Sequence, residues 1–190
     1  MAADTLALIT LQHSLLLDHG IDIVGRSILI NGEINEGTVE KVYKGLTLLN
    51  LNNPEKEPIT VIINSAGGSV YDAYSIVGMI QNSKCKVNAE IYGACMSSAV
   101  TIFAACDERK ASKYSYFMIH QVSAELGTLS KSGIQDISKH FDKEEQLYCE
   151  FLESRSNKNK NFWKKLLSTK SDIYVGAEEL FKTGLVTKVI

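Results

Sequence analysis

The sequence predicts an α/β domain. Three observations carry that reading: a continuous apolar run at 59–63 (ITVII), the pattern of a strand buried on both faces; its alternation with segments whose apolar residues recur at helical spacing; and small-residue, glycine-bearing junctions where strand runs pass into helix runs. Taken in order, 27–30 (SILI) is a strand closed by the Asn31-Gly32 turn signal. Residues 35–51 place Val39, Val42, Leu46 and Leu49 on one helical face, and a turn follows at 52–57, flanked by Pro54 and Pro58. ITVII runs into Asn64-Ser65-Ala66-Gly67-Gly68, after which Val70, Ala73, Tyr74, Val77 and Ile80 mark a helix. The unit repeats: 86–91 is a strand, 92–96 a tight small-residue turn, and 97–106 an apolar helix. Residues 115–119 are strand-like and end directly at His120. A long charged helix follows at 130–155, with Ile134, Ile137, Phe141, Leu147, Phe151 and Leu152 as its apolar stripe, and it reads as an arm standing off the core. Short helices at 162–167 and 177–182 and a strand at 185–190 close the chain. Right-handed crossovers are expected between its parallel strands.

With 190 residues, 45% hydrophobic and 22% charged, the chain suits a single globular domain over 1–190, with 1–24 as an N-terminal segment. A net charge of -2 excludes any general attraction to nucleic acid or to an anionic membrane surface. Cys85, Cys95, Cys106 and Cys149 form no C-x-x-C pair and no metal-like spacing with the four histidines. Cys85, Cys95 and Cys106 lie in apolar or small-residue runs and read as small hydrophobes, and a reducing compartment is expected: cytoplasm, an organellar stroma, or a host's cytoplasm for a viral protein. The leucine-rich start lacks the basic region of a signal peptide, and no apolar run is long enough to span a membrane.

Chemistry in an α/β domain gathers where strand ends meet helix starts. One such junction is Gly67-Gly68, whose paired glycines can bring N–H groups close to a ligand; by itself it is also an ordinary tight turn. The other is Gly93-Ala94-Cys95-Met96-Ser97-Ser98-Ala99, which sets Ser97 at the first turn of a helix, facing the positive end of its dipole. Serine there is ordinarily only an N-cap. His120, at the end of a strand run, supplies a base, and Asp172 a group that could fix its tautomer. Each alone is more often structural; together, at element boundaries, they form a nucleophile, base and acid set.

The ordered motifs Asn64-Ser65-Ala66-Gly67-Gly68, Gly93 to Ala99, Met118-Ile119-His120-Gln121, and Asp172 with Gly184-Leu185-Val186 resemble the Clp protease proteolytic subunit, a serine peptidase family. The likeness extends from about Ile28 to the C-terminus. The resemblance implies a crotonase-like ββα-superhelix with a protruding handle at about 125–160. It implies sevenfold rings of identical subunits that stack through their handles around a chamber. By the same likeness Ser97 attacks the peptide carbonyl, His120 takes its proton, Asp172 orients His120, and the N–H groups of Gly68 and Ser98 form the oxyanion hole. No metal or cofactor is implied; ATP would be used by a separate AAA+ unfoldase.

Several positions depart from the family pattern. Cys95-Met96 precede the nucleophile where small residues are common, Ser98 stands beside it as a rival hydroxyl, and Val122 replaces a proline. Ser171, after Lys170, stands where an arginine commonly couples the two rings. Thr60, Ile62 and Asn82 stand where aromatics line the unfoldase cleft, which predicts weak docking of a standard bacterial unfoldase, because aromatic anchors dominate such interfaces. Three alternatives share parts of the pattern: a catalytically silent ring subunit, a crotonase-type acyl-CoA enzyme, and a membrane-linked signal-peptide peptidase relative with a serine–lysine dyad.

Overall fold

The computed structural model of the chain describes residues 2–51, 53, 55–123, 130–168 and 172–190. Asn52 and Pro54 of the expected turn, the first residues of the handle region at 124–129, and Lys170 and Ser171 lie outside the described residues. One sheet forms the framework, in the order β1 (Ile21–Asp22), β2 (Ser27–Asn31), β3 (Ile59–Ser65), β4 (Val87–Met96), β5 (Arg109–Ala111) and β8 (Lys188–Val189). From β2 onward these strands pair in parallel, whereas β1 and β2 are antiparallel. Parallel strands need crossovers, and α2 (Glu36–Asn50) and α3 (Val70–Gln81) supply the first two.

The core follows from the period-two pattern of the strands and the helical stripes. Ile28, Ile30, Ile59, Val61, Ile63, Val87, Ala89 and Ile91 are buried, and Val42, Leu46 and Leu49 of α2 and Ala73, Ile76 and Ile80 of α3 join the same cluster. Both helices begin at capped positions: Asn35 Oδ1 accepts from Thr38 N at 3.2 Å and Ser69 Oγ from Asp72 N at 3.2 Å. A cap of this kind is worth about 1 kcal/mol.

At β4 the sheet forks. Its first half pairs with β5, from Ala89 opposite Arg109 to Ile91 opposite Ala111. Its second half, Ala94 to Met96, pairs in parallel with β6 (Tyr116–Ile119), which pairs antiparallel with β7 (Ile173–Gly176). The expectation of a tight turn at 92–96 is therefore corrected: these residues continue the strand. The small residues serve the fork, because a Cβ on Gly93 would sit 2.7 Å from Asn64 Oδ1, the atom that accepts from Ala94 N at 3.1 Å.

Other differences concern the ends and the long helix. The N-terminal segment forms α1 (Ala2–His19), a helix whose Leu8, Leu11 and Leu17 are exposed, so no single apolar face announces it. The last strand spans Lys188–Val189 rather than 185–190, Leu185 and Val186 being buried core residues before it. In α5 (Lys131–Ser154) the core is reached by Tyr148, Cys149 and Leu152 near the C-terminal end, while Ile134 and Leu147 of the expected stripe are exposed. Most of α5 therefore does stand away from the core, and its end is packed against α6 (Lys160–Leu167) through the buried Leu152, Trp163 and Leu167. The chain closes through α7 (Ala177–Lys182). Among the described residues, no helix is long and apolar enough to cross a membrane.

Candidate active site

The fork in β4 brings together three residues that are far apart in the chain. β4 ends at Met96 and α4 (Ser98–Ala105) begins at Ser98, so Ser97 alone makes the turn from strand to helix. It does so with φ 52° and ψ -127°, a left-handed conformation that a residue with a side chain adopts at a cost of about 1–3 kcal/mol. Its N–H is held by Met118 O at 2.8 Å, which ties the turn to β6. Gly67 makes room for it: a Cβ there would lie 2.7 Å from Ser97 Cβ and 2.8 Å from Met96 O.

His120 follows β6 directly, and Asp172 precedes β7 directly. The antiparallel register places Ile119 opposite Ile173, so the next residues outward, His120 and Asp172, face each other. Ser97 Oγ lies 2.6 Å from His120 Nε2, and His120 Nδ1 lies 3.5 Å from Asp172 Oδ1. The first distance is a strong hydrogen bond. The second is a charge contact longer than a hydrogen bond, with the Asp172 carboxylate half exposed. In the tautomer protonated at Nδ1, which faces Asp172, Nε2 is free to accept from the serine hydroxyl. Ser97 makes no side-chain capping bond to its helix, so its hydroxyl is given to the histidine instead.

Gly68 and Ser98 line the same pocket as Ser97 and His120. Ser98 is the first residue of α4, whose first N–H groups have no intrahelical acceptor. Gly68, with φ 149°, forms a parallel bridge to Ile34, in which Ile34 N donates to Gly67 O and Ser69 N to Ile34 O, both at 2.9 Å. Those bonds use the Ile34 backbone and leave the Gly68 N–H outside the bridge. A side chain at residue 68 would collide with the Ile34 backbone.

All five residues singled out in the sequence thus meet at one end of the sheet. Sequence reasoning missed the cavity of about 110 Å³ that opens beside Ser97, into which Tyr74, Thr101 and Tyr148 project from three different helices. In the sequence Tyr74 signals only a helical stripe, and Tyr148 falls outside the expected one. Of the three positions expected to line an unfoldase cleft, Asn82 borders a hollow of about 360 Å³ between α2 and α3. Tyr43, Leu46 and Met79 line that hollow too, whereas Thr60 and Ile62 are half-buried on β3 outside it.

The sequence profile of the Clp protease family matches residues 22–190. The chain belongs to that family. It is 30% identical over 168 residues to an ATP-dependent Clp protease proteolytic subunit 1 of Prochlorococcus marinus, a match that covers 87% of this chain and 84% of the relative. It is 28% identical to the subunit of the same name from Protochlamydia amoebophila, over 92% of this chain and 84% of the relative. Among solved structures it resembles a point mutant of ClpP1 from Listeria monocytogenes, with a TM-score of 0.77 and 28% identity over 88% of this chain and 92% of that one. The fold is therefore crotonase-like, and the chain is a divergent Clp-type proteolytic subunit.

Proposed function

We propose that this subunit is a serine-type endopeptidase that hydrolyses peptides and unfolded proteins with Ser97, His120 and Asp172. The observation that carries the reading is the 2.6 Å bond from the Ser97 hydroxyl to His120 Nε2, made by a serine that forgoes the capping bond its position offers. Ser97 Oγ attacks the peptide carbonyl carbon while His120 Nε2 takes the hydroxyl proton. The resulting oxyanion is held by the N–H groups of Gly68 and Ser98, each such donor being worth about 2.7–4 kcal/mol. The tetrahedral adduct collapses, the carbon–nitrogen bond breaks, and His120 returns the proton to the leaving amine. Water, deprotonated by the same nitrogen, then attacks the acyl ester and releases Ser97. Asp172 stabilises the imidazolium formed in each half of the cycle. Besides the substrate and one water, each step uses side chains and backbone of this chain. The same reading includes a sevenfold ring of identical subunits enclosing the sites, fed by an AAA+ unfoldase and working in a reducing, cytoplasm-like compartment, to which four free buried cysteines are suited.

A fluorophosphonate probe is the direct test. It should label the assembled protein at Ser97, with Ser97→Ala abolishing both adduct and peptide hydrolysis, and Asp172→Asn lowering turnover by about four orders of magnitude. An adduct that survives Ser97→Ala and disappears with Ser98→Ala would assign the nucleophile to Ser98. No adduct at all would favour a silent ring subunit. Sedimentation of the assembled protein gives the subunit number.

A further inference from the structure

The fork of β4 coincides with an irregularity in its pairing with β3. Ile63 stands opposite Ile91, and the next pair is Ser65 opposite Cys95, so Asn64 alone faces Tyr92, Gly93 and Ala94. A bulge of this kind disrupts the ladder and bends the strand that carries it. Side chains bridge the gap from both flanks. On the β3 side, Asn64 Oδ1 accepts from Ala94 N at 3.1 Å, and Asn64 Nδ2 donates to Asn31 Oδ1 of β2 at 2.9 Å. On the other flank, the buried Ser115 donates from Oγ to Ile91 O at 2.8 Å. Ile91 is the last residue of β4 paired to β5, and Ser115 immediately precedes β6. The two bonds therefore bracket the residues at which β4 exchanges one neighbour for the other.

We propose that Asn64 and Ser115 are positioning residues for the reaction: they clasp the point where β4 leaves β5 for β6, and so set Ser97 against His120. The proposal rests on the peptidase reading for its catalytic consequence and adds two residues outside the triad. Ala94, held by Asn64, opens the pairing with β6 that Met96 closes, and Ser97 follows. Ser115 leads into β6, whose last residue, Ile119, is followed by His120. Nucleophile and base thus hang from two different strands. Ser115 ties the start of β6 to the first half of β4, and Asn64 ties the second half of β4 to β3. Loosening either bond lets one strand end move relative to the other, which the 2.6 Å contact between Ser97 Oγ and His120 Nε2 registers directly. Asn64 is exposed, where an amide ordinarily contributes little. Two features set it apart: both of its amide atoms are bonded, and the residue beside its Oδ1 is Gly93, whose missing Cβ leaves the amide its space.

The test uses variants that differ in one bond. Asn64→Leu keeps the shape and loses both amide contacts, whereas Asn64→Asp keeps the acceptor for Ala94 N, with the Asn31 amide turned over to donate to it. Ser115→Ala removes the hydroxyl while Ile91 O keeps its bond from Ser112 N at 2.8 Å, so no buried carbonyl is orphaned. We expect kcat and the rate of fluorophosphonate labelling to fall about tenfold in Asn64→Leu and Ser115→Ala, a fraction of the loss that a displacement of about 1 Å brings. KM should stay near its original value, and Asn64→Asp should restore most of the rate. Hydrogen exchange over 92–97, read by mass spectrometry, should quicken in Asn64→Leu and not in Asn64→Asp. Asn159→Ala removes the cap of α6, outside the site, and controls for stability through thermal melts. An equal loss of kcat in that control at an equal fall in Tm would overturn the proposal. So would unchanged kcat in both Asn64→Leu and Ser115→Ala, or an Asn64→Asp no better than Asn64→Leu. If the unmodified protein takes no fluorophosphonate, the peptidase reading fails and exchange decides the clasp: faster in Asn64→Leu than in Asn64→Asp upholds it, equal rates overturn it. If the unmodified protein is labelled and exchange is equal in both variants, the clasp fails and the peptidase reading stands.

Discussion

At the scale of the residue, Ser97 is held in its left-handed turn by what surrounds it. Its N–H is bound by Met118 O, its side chain by His120, and the space against its Cβ exists because residue 67 has none. Gly67 itself has φ 100°, a conformation that favours glycine, and its N–H donates to the buried Ser65 Oγ at 3.0 Å. Gly67→Ala should therefore damage the site from outside it. The added methyl would lie 2.7 Å from Ser97 Cβ and 2.8 Å from the Met96 carbonyl oxygen, so Ser97 must shift. A displacement near 1 Å at a reacting group costs about 100-fold in rate. We expect kcat of Gly67→Ala to fall by about that factor, with weaker fluorophosphonate labelling and a chain that still folds. Wild-type rates in this variant would show that the glycine does not set the serine turn. The sequence made this residue visible as half of a Gly-Gly pair, but not its neighbour, because the contact between residues 67 and 97 arises only once β3 and β4 are paired.

At the scale of the element, α4, which begins at Ser98, is fixed at its other end by two arginines, the buried Arg109 and the half-buried Arg155. Arg155 donates to the carbonyls of Ala104, Ala105 and Cys106, the last of α4. Arg109 directs five N–H···O contacts at the carbonyls of Leu185, Cys106, Asp107, Arg155 and Gly184, joining α4 to the ends of α5 and α7. Cations at a helix C-terminus complement its dipole, and these also satisfy carbonyls that the helix leaves open. Burial and the neighbouring Arg155 charge both lower the Arg109 pKa, the cost of packing two cations together. Arg109→Met should lower unfolding free energy by about 3 kcal/mol, since several buried carbonyls lose their donors. Urea denaturation checks this, and a loss within about 0.5 kcal/mol, as at an ordinary surface position, would rule the clamp out. Elements of this sort divide by how legible they were. The helices at 36–50, 70–81 and 131–154 could be located from helical spacing of apolar residues, a local signal, although on the last of them Ile134 and Leu147 of the expected stripe are exposed. Strands β5 (RKA) and β7 (IYVG) could not, since three or four residues carry no period and exist through their partners. The fork of β4 was hidden for the same reason: a strand that changes neighbours at Gly93 looks, in sequence, like a strand followed by a turn. His120 and Asp172 were therefore found as residues, while the register that sets them face to face was not.

At the scale of the whole molecule, the core is closed over thiols and phenols that must keep their protons. Cys95 and Cys106 are fully buried; burial raises both thiols, that of Cys106 to about 12 from an ordinary 9.0. Tyr148 is raised by burial, and Tyr74 by burial and the nearby Glu144 carboxylate. In every case the folded-state pKa lies above the unfolded one, so the folded chain retains protons that the unfolded chain releases. The stability contributed by these groups is complete below about pH 9, where the unfolded thiols begin to ionise, and is lost as pH rises toward the folded-state values. Each group adds a slope of about 1.4 kcal/mol per pH unit once its unfolded form is ionised. The urea midpoint should thus be level from pH 7 to about 9 and fall steeply by pH 11. Cys106→Ala isolates the effect: it weakens the protein at neutral pH through the lost packing, yet should decline more gently above pH 9, by about one proton's slope. Parallel curves for the two proteins would mean that the thiol ionises as readily inside as outside. The same burial predicts that a thiol-alkylating reagent leaves all four cysteines intact in the folded protein at pH 8 and modifies them in urea, an independent check that the thiols are enclosed.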